Sequence, residues 1–577
     1  MKKILIYLCV GLAASFATTG CDDKLTEEPK SVIAPDFFKT RQGFELGLAA
    51  AYAGSRRFWG DQDFFLNTVP GTDEFTYGRD LTGAGRDMSI YGSSYATNDS
   101  RVTGVWKQAY IFINTCNGLV DNAANITDLS DAQKTSMVAE ARFLRANYYF
   151  ILVQLFGDIT LNRNFNLVPT TSAVRNSAAE VYDFIVEDLQ TAIANLPAAP
   201  KDVLPGKASA AAARHLLAKV YLTRAGSKAA QADDYKNAHT LAVGLINDRA
   251  ALGLGMLQDY GQVHKEGNER STEVLWTVQH TTNLAYNGSE AQNSSAPDNM
   301  LNHLFVPVYQ NSPGLQRSMD YGRPYCRVRP TPWLLNVAFQ ERVNDTRYSK
   351  TFQTLWISNL ANDSRVPKWT QAEINSGYAP ASQLGKAKFA LGDTAVYMPG
   401  YEVSAAKIAA TRYKLVPPSK YTLELFPTVV KYFDTKRVDI NNPSIRPVIV
   451  YRLAETYLIA AEALLMDGRA ADAVQYVNAV RARAAYPTGD PLKMQVQASD
   501  LTVDFILDER TRELCGENMR WLDLVRTGKL LTRVKADNPD AAPNIVAPKH
   551  LLRPIPQAQI DGVITGEPYL QNDGWLQ

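Results

Sequence analysis

Residues 446–484 read RPVIVYRLAETYLIAAEALLMDGRAADAVQYVNAVRARA, and after a short polar spacer residues 506–526 read ILDERTRELCGENMRWLDLVR. From Val448 to Met466 the chain is apolar nearly all round, broken only by Arg452, Glu455, Thr456 and Glu462. That pattern predicts an inner helix covered on several sides. Asp467-Gly468 supplies a stop that only glycine adopts without strain. A second helix follows, with Ala470, Ala473, Val474, Val477, Val480 and Ala484 at a spacing of about 3.5. Tyr486-Pro487 ends it. Two antiparallel helices around a tight turn, with alanines where backbones must approach, form a helical-repeat hairpin.

The same signals recur upstream. Phe44–Arg57 and Val105–Asp121 read as helices, the second with a packing stripe of Trp106, Tyr110, Ile113 and Asn117. Ser130 with Gln133 and Ser177 with Glu180 are capping-box pairs, each ahead of an apolar run. Further helices are predicted over 208–224 and 233–248, and around Glu509 and Trp521. The sum is about four tetratricopeptide-type helix pairs, enough for a self-supporting array, with repeats in 105–249 and 445–531.

The motifs R-x-A-E-T-Y-L-I-A-A-E-A at 452–463, V-N-A-V-R-A-R-A at 477–484, E-R-T-R-E-L at 509–514 and R-W-L-D-L-V-R at 520–526 resemble the SusD/RagB family. Three further stretches share the resemblance: residues 141–159, L-R-P-I-P-Q-A-Q-I-D at 552–561 and Q-N-D-G-W at 571–575. It implies a mostly α, SusD-like fold with a large irregular insertion. It also implies a nutrient-binding lipoprotein of the Bacteroidota outer membrane, seated on a SusC-like TonB-dependent transporter.

Sixty Lys and Arg balance 59 Asp and Glu, a net charge of +1 that argues against a nucleic-acid binder. Met1–Gly20 has the form of an export signal: Lys2-Lys3, an apolar run from Ile4 to Phe16, then small residues. Cys21 follows at the position where a bacterial lipoprotein is acylated, and residues 21–40 read as its tether. Asp22, Asp23, Glu27 and Glu28 resemble the acidic stretch that directs such proteins to the cell exterior. Cys116, Cys326 and Cys515 are isolated and read as buried small residues.

The SusD-like domain is expected over 41–577. Within it, residues 58–104 and 250–444 lose the helical period and turn to Gly, Pro, Asn and aromatic residues. An insertion of that length inside a repeat protein reads as a functional surface, and the two stretches are expected to meet. Sugar rings pack their C–H faces on aromatic rings while Asp, Asn and Arg bond the hydroxyls. The candidates for an oligosaccharide site are Asp73, Tyr77, Arg79, Tyr95 and Asn98 from the first stretch. Asn283, Tyr286, Tyr325 and Trp356 come from the second. Trp333 and Trp369 are assigned to packing.

No catalytic residue, metal site or cofactor is predicted. Glu509 and Glu513, one turn apart among arginines, read as a salt-bridged face and not a glycosidase pair. The histidines show no zinc spacing, and Asp439, Asn441 and Asn442 read as a turn rather than a calcium loop. A peptide-binding member of the same family, or a surface glycoside hydrolase, stands as the alternative.

Overall fold

A computed structural model describes residues 35–283, 287 and 299–576. Helix α1 (Arg41–Gly54) is capped by Thr40; α2 (Gln62–Thr68) and α3 (Gly83–Ile90) follow in the first irregular stretch. Helix α4 (Ser100–Asn122) starts at Asp99, whose side chain accepts from the Arg101 amide. Both capping boxes form as their spacing predicts, Ser130 with Gln133 opening α5 (Asp131–Phe156) and Ser177 with Glu180 opening α6 (Ala178–Asn195). Helices α7 (Ala210–Ala225) and α8 (Asp234–Asp248) complete this half. Neighbour packs on neighbour: α1 on α4, α4 on α5, α5 on α6, α6 on α7 and α7 on α8.

Residues 448–466 are not one helix. The short strands that position the site are β1 (Phe75–Tyr77), β2 (Val274–Val278), β3 (Val328–Pro330) and β4 (Val448–Arg452). Strand β4 pairs antiparallel with β2, and helix α9 (Leu453–Met466) begins at the next residue. The reason lies in Val448, Ile449, Val450 and Tyr451, β-branched and aromatic residues buried on both faces. An all-apolar run does not by its period separate a buried strand from a buried helix.

Helix α9 packs on α8 on one side and on α10 (Ala470–Ala484) on the other, so the array resumes where the insertion left it. Gly468, at φ +76°, makes the turn between them. Helices α11 (Val503–Leu514) and α12 (Arg520–Arg526) close the second half. The insertion carries a core of its own. Leu355–Ile357, Thr394–Tyr397 and Lys414–Leu415 form a three-stranded sheet over Trp356, Tyr309, Phe389 and Val396.

An ion network lies where the insertion meets the helices. Glu513 of α11 accepts from Arg347 at 3.1 Å and from Arg452 at 2.5 Å, and pairs with Arg483. Glu509 faces Arg347 at 2.8 Å, Arg481 at 2.9 Å and Arg512 at 2.8 Å. The face is salt-bridged, but its partners are mostly distant in sequence and both glutamates are wholly buried. Arg510, interleaved between them, turns instead to Asp523 and Glu455. Cys116, Cys326 and Cys515 are buried and unpaired with one another. Among the described residues, no helix is long and apolar enough to cross a membrane. Cys21 and Tyr286 lie outside the described residues.

Candidate functional site

Strands β1 and β3 join the two irregular stretches, with Phe75 opposite Pro330, Thr76 opposite Arg329 and Tyr77 opposite Val328. The pairing continues past the strands: Gly78 N–H donates to the Arg327 carbonyl at 2.7 Å and Asp80 N–H to Cys326 at 3.1 Å. A third segment closes on them, since Arg79 N–H donates to the Leu423 carbonyl at 3.1 Å. Gly78 is needed for this approach, because a Cβ there would fall 2.4 Å from the Cys326 carbonyl oxygen. Cys326 takes φ +46°, a left-handed conformation rare outside glycine, and its thiol donates to the Leu423 carbonyl at 3.1 Å. Burial pushes that thiol up to about 11, so it acts as a neutral donor.

The turn before β1 is held from below. Thr72 Oγ1 donates to the Val69 carbonyl and accepts from the Glu74 amide, while Asn538 donates to the Thr72 carbonyl. Asp73 takes Arg520 of α12 with both carboxylate oxygens. Burial pushes the Glu74 carboxyl up to about 7, with Arg520 opposing and Asp73 reinforcing the shift.

Two half-buried tyrosines lie on this frame, each covered by guanidinium groups. Arg86 lies 4.8 Å from the Tyr77 ring centre. Arg323 and Arg327 lie 4.5 and 5.2 Å from that of Tyr325, and buried His303 packs against the same ring at 5.2 Å. Arg79 is tied to Asp80 at 2.8 Å and to Glu424 at 3.4 Å. An aromatic face flanked by fixed cations and carbonyls can stack a ring and bond its oxygens.

Of the sequence candidates, the structure brings Tyr77, Arg79 and Tyr325 together and places others elsewhere. Asp73 is wholly buried in its ion pairs and holds the turn ahead of β1 rather than facing the surface. Tyr95 is 3% exposed, edge-on to Trp575 at 4.9 Å and near Arg553, which makes it core. Trp356 is wholly buried at the centre of the insertion's own core. Asn98 is exposed, but its neighbour Thr97 binds Gln557 of the C-terminal segment, not the β1–β3 frame. Asn283 is exposed at the end of a described stretch. Trp333 and Trp369 are buried, Trp333 beneath Arg520 and Arg533. The cluster adds Arg323, Arg86, Leu423 and Glu424. Arginines at 323 and 327 flanking an aromatic in an irregular stretch were the available signal; the Leu423 contact had none, because it is made by backbone, and Glu424 meets Arg79 only because the fold brings two distant loops together.

The fold and this surface define a class: a helical-repeat scaffold presenting a site built on irregular loops. The chain belongs to the SusD family, whose signature matches residues 272–575. A second signature, described as starch-binding associating with outer membrane, matches residues 72–222. The chain is 28% identical to SusD-like protein P2 of Formosa agariphila over 97% of each chain. Among solved structures, it is similar to a SusD homolog from Bacteroides thetaiotaomicron at 22% identity and TM-score 0.70, covering 92% of this chain and 97% of the other. Surface glycan-binding protein A of the same species, in complex with laminarihexaose, is similar at 20% identity and TM-score 0.64, covering 92% and 99%.

Proposed function

We propose that this chain is an outer-membrane binding lipoprotein that captures an oligosaccharide at the cell surface and passes it to a SusC-like TonB-dependent transporter. The observation that carries the binding reading is the pair of arginine-covered tyrosines, Tyr77 and Tyr325, on the β1–β3 frame. Family membership and the glycan-bound relative support a carbohydrate as ligand. Acyl chains on Cys21 would hold the protein at the membrane, each buried methylene contributing about 0.8 kcal/mol.

The reading is one of binding and not of catalysis. A glycosidase needs two carboxyl groups free to exchange protons across a sugar. Glu509 and Glu513 are buried and neutralised by arginines, so they serve neither as acid nor as base. Calorimetry of the purified chain against neutral and charged oligosaccharides and against peptides tests the proposal. Glycan binding lost on Tyr325→Ala is the expected result. Peptide binding without glycan binding would favour the peptide alternative, and cleaved products the hydrolase one. Loss of the chain from the outer-membrane fraction on Cys21→Ala tests the anchor.

A further inference from the structure

We propose that the ligand taken at this site is anionic, a glycan carrying carboxylates or sulfate esters; the inference rests on the carbohydrate-binding reading above. Three guanidinium groups, those of Arg323, Arg327 and Arg437, surround Tyr325 and His303. Among the described residues, none of the three has a carboxylate within ion-pair distance. Arg437 is spent on the carbonyls of Asp434, Ile440 and Asn442. Arg327 donates to the Asp80 carbonyl and keeps its Nε buried with no partner. Arg323 makes a single long bond, 3.4 Å to the Asn441 carbonyl.

Most other buried arginines differ, although Arg553 too is held by a carbonyl and aromatic rings. Arg145, Arg224, Arg452 and Arg526 each face one or more carboxylates. Around Tyr325 the nearby acids are already committed. Asp80 and Glu424 hold Arg79, Asp434 takes the Ser444 hydroxyl and the Ile445 amide, and Asp439 takes the Asn441 amide. None of these carboxylates turns to Arg323 or Arg327, so both guanidinium groups keep their ion-pairing capacity. His303 lies under the same guanidinium groups: burial, then Arg437 and Arg323, hold its imidazole down at about 3. An unpaired, half-buried guanidinium is costly, and its planar fork matches a carboxylate or sulfate with two bonds. Arg86 over Tyr77 repeats the arrangement on β1, again with no carboxylate in reach among the described residues.

Affinity electrophoresis and calorimetry of the full chain in detergent test this with matched polymers. Polygalacturonate is set against fully methyl-esterified pectin, and dextran sulfate against dextran, so that the two arms separate carboxylate from sulfate. The expected result is that one charged polymer binds roughly tenfold or more tighter than its neutral twin. Arg323→Ala should abolish that preference with no change in thermal midpoint, and Arg323→Lys should restore part of it. Equal or better binding of the neutral twins overturns the inference and leaves the carbohydrate reading standing. A charge preference that survives Arg323→Ala overturns it as well, because the attraction would then lie elsewhere. No binding to any glycan overturns the inference together with the reading beneath it.

Discussion

Arg520 holds Asp73 with two hydrogen bonds, Nε to Oδ1 at 2.7 Å and Nη2 to Oδ2 at 2.6 Å, across 447 residues of chain. Arg533 reaches the same carboxylate at 2.9 Å. All three side chains are buried, so the acidic turn ahead of the binding strand is fixed to the last helices of the scaffold.

Asp73→Ala would take from buried Arg520 its two-bond partner, leaving it only Glu74 at 3.6 Å, and would leave Arg533 to Asp504 and Asp508. We expect a loss of about 3–5 kcal/mol of unfolding free energy, read from urea denaturation, and a smaller loss for Asp73→Asn. Weakened binding at unchanged stability would be the opposite pattern, and would return Asp73 to the ligand surface.

Tyr325→Ala and Tyr95→Ala should part in their effects. Tyr325 is half-buried under arginines, so its truncation should weaken ligand binding while the thermal midpoint stays within a degree or two. Tyr95 packs edge-on against Trp575, and truncation of a core aromatic typically costs about 3–5 kcal/mol. A Tyr95→Ala protein of unchanged midpoint and reduced affinity would contradict its placement in the core.

That pair shows what the sequence could carry. Helices were legible because capping boxes and apolar period are local: Ser130 and Gln133 close a hydrogen-bonded loop within one turn. The run from Val448 to Arg452 was misread as helix because its decisive partner, Val274–Val278, is distant in sequence. Tyr77, Tyr95, Tyr325 and Trp356 share a composition, aromatic within an irregular stretch, and differ only in burial. Burial there is set by tertiary packing against Trp575 or Val396, which no local pattern encodes. The arginines left without a carboxylate at Tyr325 are of the same kind, since that depends on which way distant acids turn.

Stability should fall with acid in two stages. Burial, with Arg437 for His303 and Arg56 for His280, holds both imidazoles at about 3 in the fold, while an unfolded histidine titrates near 6.5. Only the unfolded state gains those protons, so the two histidines lower stability as pH falls below about 6.5, while Glu74, raised to about 7 in the fold, takes its proton there first and offsets part of the decline. Burial alone would raise the Glu513 carboxyl, but Arg483, Arg452 and Arg347 more than offset it and hold it at about 2. Its contribution is present above the unfolded value of about 4.3 and is lost as pH falls toward 2. Urea midpoints measured from pH 7 to 3 should therefore drop first gently and then steeply. Glu513→Gln should flatten the steeper part, and a midpoint independent of pH over that range would contradict the assignment.

Gly78→Ala tests the frame rather than any contacting side chain. The added Cβ would meet the Cys326 carbonyl oxygen at 2.4 Å, and since that atom is backbone, β1 and the 326–327 segment must move apart. The shift would lengthen the Gly78–Arg327 and Asp80–Cys326 hydrogen bonds that set Tyr77 against Tyr325's loop. The helical array does not run through this pairing, so the chain should stay folded with a modest loss in midpoint. Binding should fall about tenfold or more, because a displacement of a few tenths of an ångström spoils simultaneous stacking and bidentate contact. Alanine at a glycine remote from the frame, such as Gly562 at the end of the Gln557–Gly562 helix, which has open space around it, provides the control. Equal affinities for the two variants would mean that the β1–β3 frame does not position the ligand.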